Sequence, residues 1–323
     1  MSKPNILVTG HINPSWLSDL SEIGEVNIWA EKEFLMPRSR LLEVIKDYDA
    51  VINFAEVIAN EELIFKAQNL KIIANVSIGF DNLNLPLLSI YEIWATNAPG
   101  FFNYPVAEYV LAGILALKRK LLLADDFIRK GEWKDFEPGK WDGVSLKFLT
   151  LGIVGMGSIG KELKKMAQAL GIKVVYFDPV QNQEEGALTL EELISVSDII
   201  SIHVPLNDST RNLFDRNMIF RIKKGGILVN TSRGSIIDEN ALIDSLESGH
   251  LSGAILDVFV NEPAVPEKLK LMRNVLLTPH IAGGTVHARE GCVRCAAANV
   301  VAVLQGQDPP NALNNPKNDN RKN

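Results

Sequence analysis

Cysteine is scarce: the 323-residue chain contains only Cys292 and Cys295, which form a single C-x-x-C. A structural zinc site needs about four ligands, and the sequence offers no second pair. A redox C-x-x-C is expected in a thioredoxin-like setting, whereas this one lies in an Ala- and Val-rich helical pattern. We therefore predict two reduced cysteines packed within a helix, and no metal site.

The sequence also lacks long apolar runs and basic blocks. No apolar run approaches the roughly 20 residues that span a bilayer, and the opening MSKPNILVTG has none of the parts of a signal peptide. Acidic and basic residues are spread along the chain and sum to a formal net charge of -6. This balance makes nucleic acid and membranes poor partners, and we expect a cytoplasmic protein.

What the sequence does contain is a regular alternation of short apolar runs and helical patterns. At 323 residues and 46% hydrophobic content, two domains are expected. Strands are predicted at 6–8, 26–28, 50–52, 71–74, 94–96, 148–154, 173–177, 198–202, 226–229, 254–256 and 275–277. This rhythm predicts two doubly wound parallel sheets, each with helices on both faces.

Helix positions follow from caps and apolar spacing. Asn13-Pro14 is typical of a helix start, and Thr189 with Glu192 matches a capping box. The stretch 106–123 predicts one long helix that is apolar on more than one face. Such a helix must be covered on several sides, so we expect a homodimer formed through it.

A glycine motif gives the first indication of chemistry. Gly155-Met156-Gly157-Ser158-Ile159-Gly160 is a G-x-G-x-x-G between a predicted strand and a predicted helix. The first Gly permits a tight turn, the second lets backbone approach a pyrophosphate, and the third lets helix and strand pack closely. Asp178 ends the next strand, where a carboxylate can bind the ribose hydroxyls and repel a 2′-phosphate, which favours NAD over NADP. The alternatives are a tight turn without a ligand and a solvated carboxylate.

The domain boundaries follow from the position of this motif. The last predicted helix, 288–304, lies beyond the second sheet and could return to the first domain. We predict a discontinuous, flavodoxin-like substrate domain, 1–98 and 287–323, and a Rossmann NAD-binding domain, 99–286. From Gln307 on, Asn, Pro, Lys and Asp dominate, and we expect a frayed tail.

Three polar segments lie at predicted strand ends, where open α/β sheets bind ligands. They are Asn230-Thr231-Ser232-Arg233-Gly234, Asp257-Val258-Phe259 with Glu262, and Thr278-Pro279-His280-Ile281-Ala282-Gly283. Reduction of a 2-oxo acid needs a cation for the carboxylate, which Arg233 can provide, and a proton, which His280 can supply. Glu262 in contact with His280 would stabilise the imidazolium. Taken singly, each could instead be a surface or loop side chain.

The order and spacing of these segments, over about 75–306, resemble the D-isomer-specific 2-hydroxyacid dehydrogenases. That family includes glyoxylate and hydroxypyruvate reductases, phosphoglycerate dehydrogenase and D-lactate dehydrogenase. The resemblance implies hydride transfer between NAD and C2 of a small 2-hydroxy or 2-oxo acid. It also implies the same catalytic roles for Arg233, Glu262 and His280.

The resemblance assigns binding roles as well. Thr231, Ser232, Asp257 and Gly283 would lie against the nicotinamide half of the cofactor, together with Arg233 and His280, while His203 and Pro205 would line its adenine side. The loop Val76-Ser77-Ile78-Gly79 would hold the substrate carboxylate through its N–H groups. An ordinary Gly-containing turn is the alternative for this loop, and a simple strand end is the alternative for Pro205.

Two departures from the family pattern bear on cofactor and substrate. Ser158 stands where many relatives carry a basic residue, so the pyrophosphate loses a charge pair. Glu56, in the loop after the third strand, would repel a phosphate and disfavours phosphoglycerate. We therefore predict a short, uncharged 2-oxo acid such as glyoxylate, hydroxypyruvate or a pyruvate-like compound. The alternatives are a phosphoglycerate dehydrogenase and, in another class, an NAD-sensing, corepressor-like binding protein.

Overall fold

The chain forms two compact units in the computed structural model, which describes residues 3–31, 33–54, 57–181 and 185–319. The first unit comprises Met1–Phe102 and Thr285–Asn323, and the second comprises Asn103–Gly284. The first unit thus ends at 102 instead of 98 and resumes at 285 instead of 287. It resumes there because Thr285 caps the last long helix, accepting a hydrogen bond from the Ala288 N–H.

The first unit is built on a five-stranded parallel sheet. Its strands are β1 (Asn5–Val8), β2 (Glu25–Ile28), β3 (Ala50–Asn53), β4 (Ile72–Asn75) and β5 (Trp94–Thr96). Their order is β2-β1-β3-β4-β5, the flavodoxin-like order predicted for this part of the chain. The register pairs Ile6 with Ala50, Ile52 with Ala74 and Ile73 with Ala95.

Helices cover both faces of this sheet, because successive strand residues point to opposite faces and most of them are apolar. The first four are α1 (Ser18–Ile23), α2 (Arg38–Val44), α3 (Glu61–Lys66) and α4 (Leu85–Ile90). A short 3-10 turn, Pro14–Leu17, precedes α1, and the Asn13 side chain caps it by accepting from the Ser15 N–H. The predicted helix start at Asn13-Pro14 is therefore confirmed.

The second unit contains six parallel strands. They are β6 (Thr150–Val154), β7 (Lys173–Phe177), β8 (Ile199–Ile202), β9 (Ile227–Asn230), β10 (Gly253–Leu256) and β11 (Val275–Leu277). Their order is β11-β10-β9-β8-β6-β7, and one parallel bridge between Tyr176 and Ala187 lies beyond β7. This is a Rossmann sheet whose third strand is reduced to a single bridge, and its strand order reverses between β6 and β8.

Seven helices accompany that sheet in the described residues. They are α5 (Asn103–Lys118), α6 (Leu121–Arg129), α7 (Ser158–Ala169), α8 (Leu190–Val196), α9 (Arg216–Arg221), α10 (Glu239–Glu247) and α11 (Glu267–Leu271). The capping box predicted at the start of α8 is confirmed, since Thr189 accepts from the Glu192 N–H while the Glu192 carboxylate accepts from the Thr189 N–H. Every predicted strand of both sheets is present, within two residues at each end.

The single long helix predicted for 106–123 is wrong. Lys120 adopts φ +53 and ψ +31, a left-handed conformation that separates α5 from α6. Neither Gly nor Pro occurs at the break, so the local sequence gives no signal of it. Helix α6 contains no buried residue, and Leu121, Leu122 and Ile128 each keep more than half of their surface exposed.

The chain returns to the first unit through α12 (Val286–Leu304) and ends in α13 (Pro316–Asp319). Cys292 is fully buried in α12, and burial, together with the neighbouring Cys295, raises its pKa to about 12. Both thiols are free, so the prediction of two reduced helix cysteines is confirmed. Within the described residues, none of the helices combines the length and the apolar character needed to cross a membrane.

The tail predicted to fray beyond Gln307 is instead anchored as far as the structure describes it. Ala312 forms an antiparallel bridge with Thr96 of β5, and the Leu313 N–H donates to the Ala95 carbonyl. The Asn314 side chain accepts from the Ala95 N–H at 2.8 Å. The tail therefore covers the edge of the first sheet, which would otherwise expose unpaired backbone groups.

Candidate active site

The three glycines of the predicted dinucleotide motif differ in what surrounds them. Gly155, directly after β6, has φ +99, and a Cβ there would lie 2.7 Å from the His203 carbonyl oxygen. A Cβ on Gly160 would lie 2.3 Å from the Gly155 carbonyl oxygen, so this residue lets α7 approach the loop. A Cβ on Gly157, the N-cap of α7, would meet no described atom within 4 Å. The backbone at Gly157 is thus open to an approaching ligand, at the positive end of a 12-residue helix.

Asp178 lies immediately after β7 and is tied to the glycine loop. Its carboxylate accepts hydrogen bonds from the N–H groups of Met156, Val180 and Gln181, at 2.8 to 2.9 Å. Burial alone would raise its pKa, but these three N–H donors outweigh burial and lower the pKa below its ordinary value. The side chain therefore places a fixed negative charge beside the loop.

Two polar atoms at the neighbouring strand ends are buried and lack a hydrogen-bond partner among the described residues. They are Nδ1 of His203, after β8, and Oγ1 of Thr231, after β9. The other ring nitrogen of His203 is 2.8 Å from the Ser201 hydroxyl, and burial lowers the pKa of the imidazole to about 4. Buried polar atoms without a partner are costly. A dinucleotide bound at the carboxyl ends of these strands, where the strand order reverses, would supply the missing hydrogen-bond partners.

The arginine predicted to bind substrate lies in a turn between β9 and α10. The side-chain NH2 of Asn230 donates to the Arg233 carbonyl, and its oxygen accepts from the Ser232 N–H, which fixes the turn. Next in the chain is Gly234, where a Cβ would lie 2.0 Å from the Phe259 carbonyl carbon. The Arg233 turn therefore packs directly against the loop that leads from β10 to Glu262.

The predicted contact between His280 and Glu262 is present in the structure. His280 Nδ1 is 2.8 Å from Glu262 Oε2, and the other carboxylate oxygen of Glu262 accepts from the Phe259 N–H at 2.9 Å. Burial tends to raise the pKa of Glu262, but the His280 and Phe259 hydrogen bonds and the charge of Arg233 lower it. Because an ionised carboxylate only accepts, Nδ1 carries the proton in this contact. About half of the His280 side chain, 48%, remains exposed.

Asp257 holds the turn that carries His280. It is fully buried, and its carboxylate accepts from the N–H groups of Ile281 and Ala282 at 2.8 and 2.7 Å. Its carbonyl accepts from the His280 N–H at 2.8 Å. The predicted contact of Asp257 with the nicotinamide stays a prediction, as do the predicted cofactor contacts of Ser158, Ile159, Pro205, Ser232 and Gly283.

The predicted substrate loop follows β4 in the first unit. The Val76 N–H donates to the Asn53 carbonyl at 2.8 Å, so this N–H already has an acceptor, and the role predicted for Val76 in substrate binding stays a prediction. In the described part of the chain, nothing accepts from the N–H groups of Ser77, Ile78 and Gly79. Three successive free N–H groups suit an anion.

The side-chain amides that hold this loop were not predicted from the sequence. The Asn53 side-chain NH2 donates to the Asn75 side-chain oxygen at 2.8 Å, and the Asn75 NH2 donates to that of Asn82 at 2.8 Å and to the Gly79 carbonyl at 3.2 Å. Asn53 and Asn75 are fully buried at the ends of β3 and β4. The sequence contained a signal for these amides: both β3 and β4 are apolar except for an asparagine as their last residue.

Comparison with known proteins gives consistent matches. The family model described as "D-isomer specific 2-hydroxyacid dehydrogenase, NAD binding domain" matches residues 111–282. A glyoxylate reductase from Thermococcus litoralis is 38% identical over 323 residues, covering 97% of each chain. The crystal structure of a protein from Thermus thermophilus matches with a TM-score of 0.90 and 35% identity, over 96% of this chain and 99% of that one. An NADPH-dependent glyoxylate/hydroxypyruvate reductase from Sinorhizobium meliloti, solved with NADP and malonate, matches with a TM-score of 0.81 and 28% identity over 97% of each chain.

The Rossmann sheet, the glycine loop and these matches together define an oxidoreductase that uses a nicotinamide dinucleotide. The chain belongs to the D-isomer specific 2-hydroxyacid dehydrogenase family. The family resemblance seen in the sequence and the enzyme class that it implied are therefore confirmed.

Proposed function

We propose that this enzyme reduces a short, uncharged 2-oxo acid, such as glyoxylate or hydroxypyruvate, to the D-2-hydroxy acid with NADH. The observation that carries the proposal is the 2.8 Å contact between His280 and Glu262, in a loop packed against the Arg233 turn. A proton donor with its carboxylate partner and a fixed cation are what this reduction requires.

The chemistry divides among the three side chains. A bound reduced nicotinamide supplies the hydride that C2 of the substrate accepts. Arg233, always charged and planar, binds the substrate carboxylate and polarises the C2 carbonyl. His280 gives the proton on Nε2 to the developing alkoxide, while Glu262 keeps Nδ1 protonated and fixes the ring plane.

We assign the substrate loop a separate role in carboxylate binding. Its support is the run of three N–H groups, in Ser77, Ile78 and Gly79, that donate to no described residue. The Asn75 amide and the Ser77 hydroxyl both bond to the Gly79 carbonyl, at 3.2 and 2.8 Å, and hold these groups in place. A loop fixed before substrate arrives loses less entropy on binding.

The choice of substrate rests on the names of relatives and on one side chain. Relatives that match over nearly their whole length are glyoxylate reductases, such as those of Thermococcus litoralis and Thermofilum pendens. Glu56, which the sequence analysis expected to repel a phosphate, lies outside the described residues, so that argument stays a prediction. Phosphoglycerate dehydrogenase remains the alternative.

Initial rates with glyoxylate, hydroxypyruvate, pyruvate and 3-phosphohydroxypyruvate test this choice. We expect kcat/KM for glyoxylate or hydroxypyruvate to exceed that for the phosphorylated acid by about tenfold, if Glu56 repels the phosphate as the sequence predicts. A preference for 3-phosphohydroxypyruvate would support the phosphoglycerate alternative. Tight NADH binding without turnover of any acid would support the alternative of an NAD-sensing binding protein.

We propose NAD as the physiological cofactor, although the similar Sinorhizobium meliloti enzyme is NADPH-dependent. The support is the Asp178 carboxylate, whose lowered pKa keeps a negative charge where a 2′-phosphate would approach. The Asp178→Asn variant keeps an acceptor for the Met156 N–H but removes the charge. We expect its ratio of kcat/KM for NADPH to that for NADH to rise about tenfold.

The matched control for this variant is Asp198→Asn. Asp198 also accepts a backbone N–H, from Thr150 at 2.8 Å, but it precedes β8 and so lies at the amino ends of the strands, whereas Asp178 lies at a carboxyl end. Its substitution should leave the cofactor ratio unchanged. An Asp178→Asn enzyme with the wild-type cofactor ratio would contradict the assignment.

We further propose that the chain forms a homodimer through α6 and the segment after it. The support is a set of large apolar side chains that are exposed to solvent in the single chain, and exposed apolar patches mark protein interfaces. They are Leu121, Leu122, Ile128, Trp133 and Phe136, which are 53% to 85% exposed. Sedimentation velocity tests this, and a single species of monomer mass at micromolar concentration would contradict it. The cytoplasmic location stays a prediction.

A further inference from the structure

Helix α5 is connected to the turn of His280 by two hydroxyl groups that the proposed reaction does not use. The Tyr109 hydroxyl forms a hydrogen bond with the Thr278 hydroxyl, and Thr278 Oγ1 is 2.5 Å from Asp257 Oδ1. Tyr109 lies on α5, whereas Thr278 follows β11 directly. The result is a continuous chain of side chains from the helix to the buried carboxylate.

The direction of these hydrogen bonds follows from the groups involved. The Asp257 carboxylate only accepts, so Thr278 donates its single hydroxyl proton to Oδ1. The Thr278 oxygen can then only accept from Tyr109, which makes the phenol the donor. Burial, and to a smaller extent the Asp257 charge, raise the pKa of Tyr109 to about 12 against the lowering effect of the Thr278 bond, so the phenol keeps its proton.

Asp257 holds the His280 turn on both sides. Its carbonyl accepts from the His280 N–H, and its carboxylate accepts from the next two N–H groups along the chain. His280 itself has φ +54, a left-handed conformation that few residues other than glycine adopt. A backbone of this kind persists only where its surroundings fix it. Here Asp257 supplies three hydrogen bonds, and the Thr278 carbonyl also accepts from the His280 N–H at 3.1 Å.

We propose that Tyr109 is a positioning residue for proton transfer: through Thr278 its hydroxyl orients Asp257, and Asp257 fixes the left-handed turn that presents His280. This inference rests on the proposed role of His280 and goes beyond it, since in the described residues the Tyr109 and Thr278 hydroxyls bond to each other and to Asp257, and not to the imidazole of His280 or the carboxylate of Glu262. A small change in the direction of the imidazole lowers the rate of proton transfer. Dinucleotide binding at Gly157 and Asp178 does not depend on it.

The Tyr109→Phe variant tests the proposal, because it removes one oxygen and keeps the ring. We expect kcat for the 2-oxo acid to fall about five- to tenfold, the effect of one lost hydrogen bond. The KM for NADH and the dissociation constant from NADH fluorescence should change much less than kcat, because the glycine loop and Asp178 are untouched. Tyr48→Phe is the matched control, since Tyr48 is also partly buried but lies in the first unit, and it should leave kcat unchanged.

Variants at Thr278 distinguish a hydrogen-bonded chain from general packing. Thr278→Val breaks the chain and should lower kcat at least as far as Tyr109→Phe does, whereas Thr278→Ser keeps the hydroxyl and should retain most of the activity. In the double variant Tyr109→Phe/Thr278→Val, the loss should equal that of Thr278→Val alone, because the phenol then has nothing to donate to. All rates are taken per folded enzyme, measured by circular dichroism.

Three results would overturn the proposal: an unchanged kcat in Tyr109→Phe, losses in the double variant that multiply, or a raised KM for NADH at constant kcat. Failure of the proposed function gives a different pattern. If His280→Ala retains full activity, His280 is not the proton donor. If His280→Ala is inactive but Tyr109→Phe has the wild-type kcat, only the positioning role fails.

Discussion

Replacing His280 by alanine is expected to lower kcat about 10²- to 10⁴-fold, the range for loss of a general acid. The affinity for NADH should change little, since the glycine loop and Asp178 lie at other strands.

Replacing Glu262 by glutamine should lower kcat as well, because an amide can present its own N–H to His280 Nδ1 and no longer favours the charged ring. The loss should be smaller than with His280→Ala.

Arg233→Lys separates geometry from charge at the same site. A lysine keeps the positive charge but loses the planar fork that holds a carboxylate in two hydrogen bonds. We expect a raised KM for the 2-oxo acid together with a lowered kcat, measured under saturating NADH. His250→Gln is the control for the His280→Ala variant, because His250 precedes β10, at the amino ends of the strands, whereas His280 follows β11 at the carboxyl ends.

The outcome that would contradict these assignments is specific. If His280→Ala and Arg233→Lys both kept kcat/KM within about twofold of wild type, the proton and the carboxylate contact would have to come from other groups. Loss of activity in His250→Gln per folded enzyme would show that activity responds to a histidine remote from the site, and the loss in His280→Ala could not then be assigned to proton transfer.

The second large effect is expected at two glycines that are only three residues apart. Gly160→Ala should lower the free energy of unfolding by about 2–3 kcal/mol, because its Cβ would lie 2.3 Å from the Gly155 backbone oxygen. Gly157→Ala should leave the free energy of unfolding near the wild-type value, since its Cβ would meet no described atom within 4 Å. Both variants should bind NADH more weakly.

Urea denaturation and NADH titration of the two variants separate fold from binding. Weak binding by a Gly157→Ala protein of normal stability would place the pyrophosphate on the N-terminus of α7. Normal NADH affinity in Gly157→Ala would contradict that placement. Wild-type stability of Gly160→Ala would mean that α7 can move away from the loop without cost.

Much of the fold was accessible from the sequence because its signals are local. Parallel strands buried on both faces are short apolar runs wherever they occur, so the strands of both sheets could be predicted. The Thr189 capping box, and the glycine motif after β6, each depend on residues within a few positions of one another. The contact of His280 with Glu262 was predicted from chemistry, since the reaction needs an acid with a partner.

Other features depended on residues that are far apart in the chain. Tyr109 and Thr278 are separated by 169 positions, and no periodicity or motif connects them. The anchoring of the tail requires β5 to be a sheet edge, which only the strand order decides. The break at Lys120 has no Gly or Pro beside it, so the local sequence does not predict it.

The sequence by itself determined the two parallel-sheet architectures, the enzyme family and the residue types available for hydride transfer, because hydrophobic periodicity and short motifs are local properties. Only the tertiary structure decided which backbone groups stay free, which carboxylate fixes the left-handed turn at His280, and what covers the edge of the first sheet. Those outcomes depend on strand order and on hydrogen bonds between residues far apart in the chain, and no local sequence pattern predicts either of them.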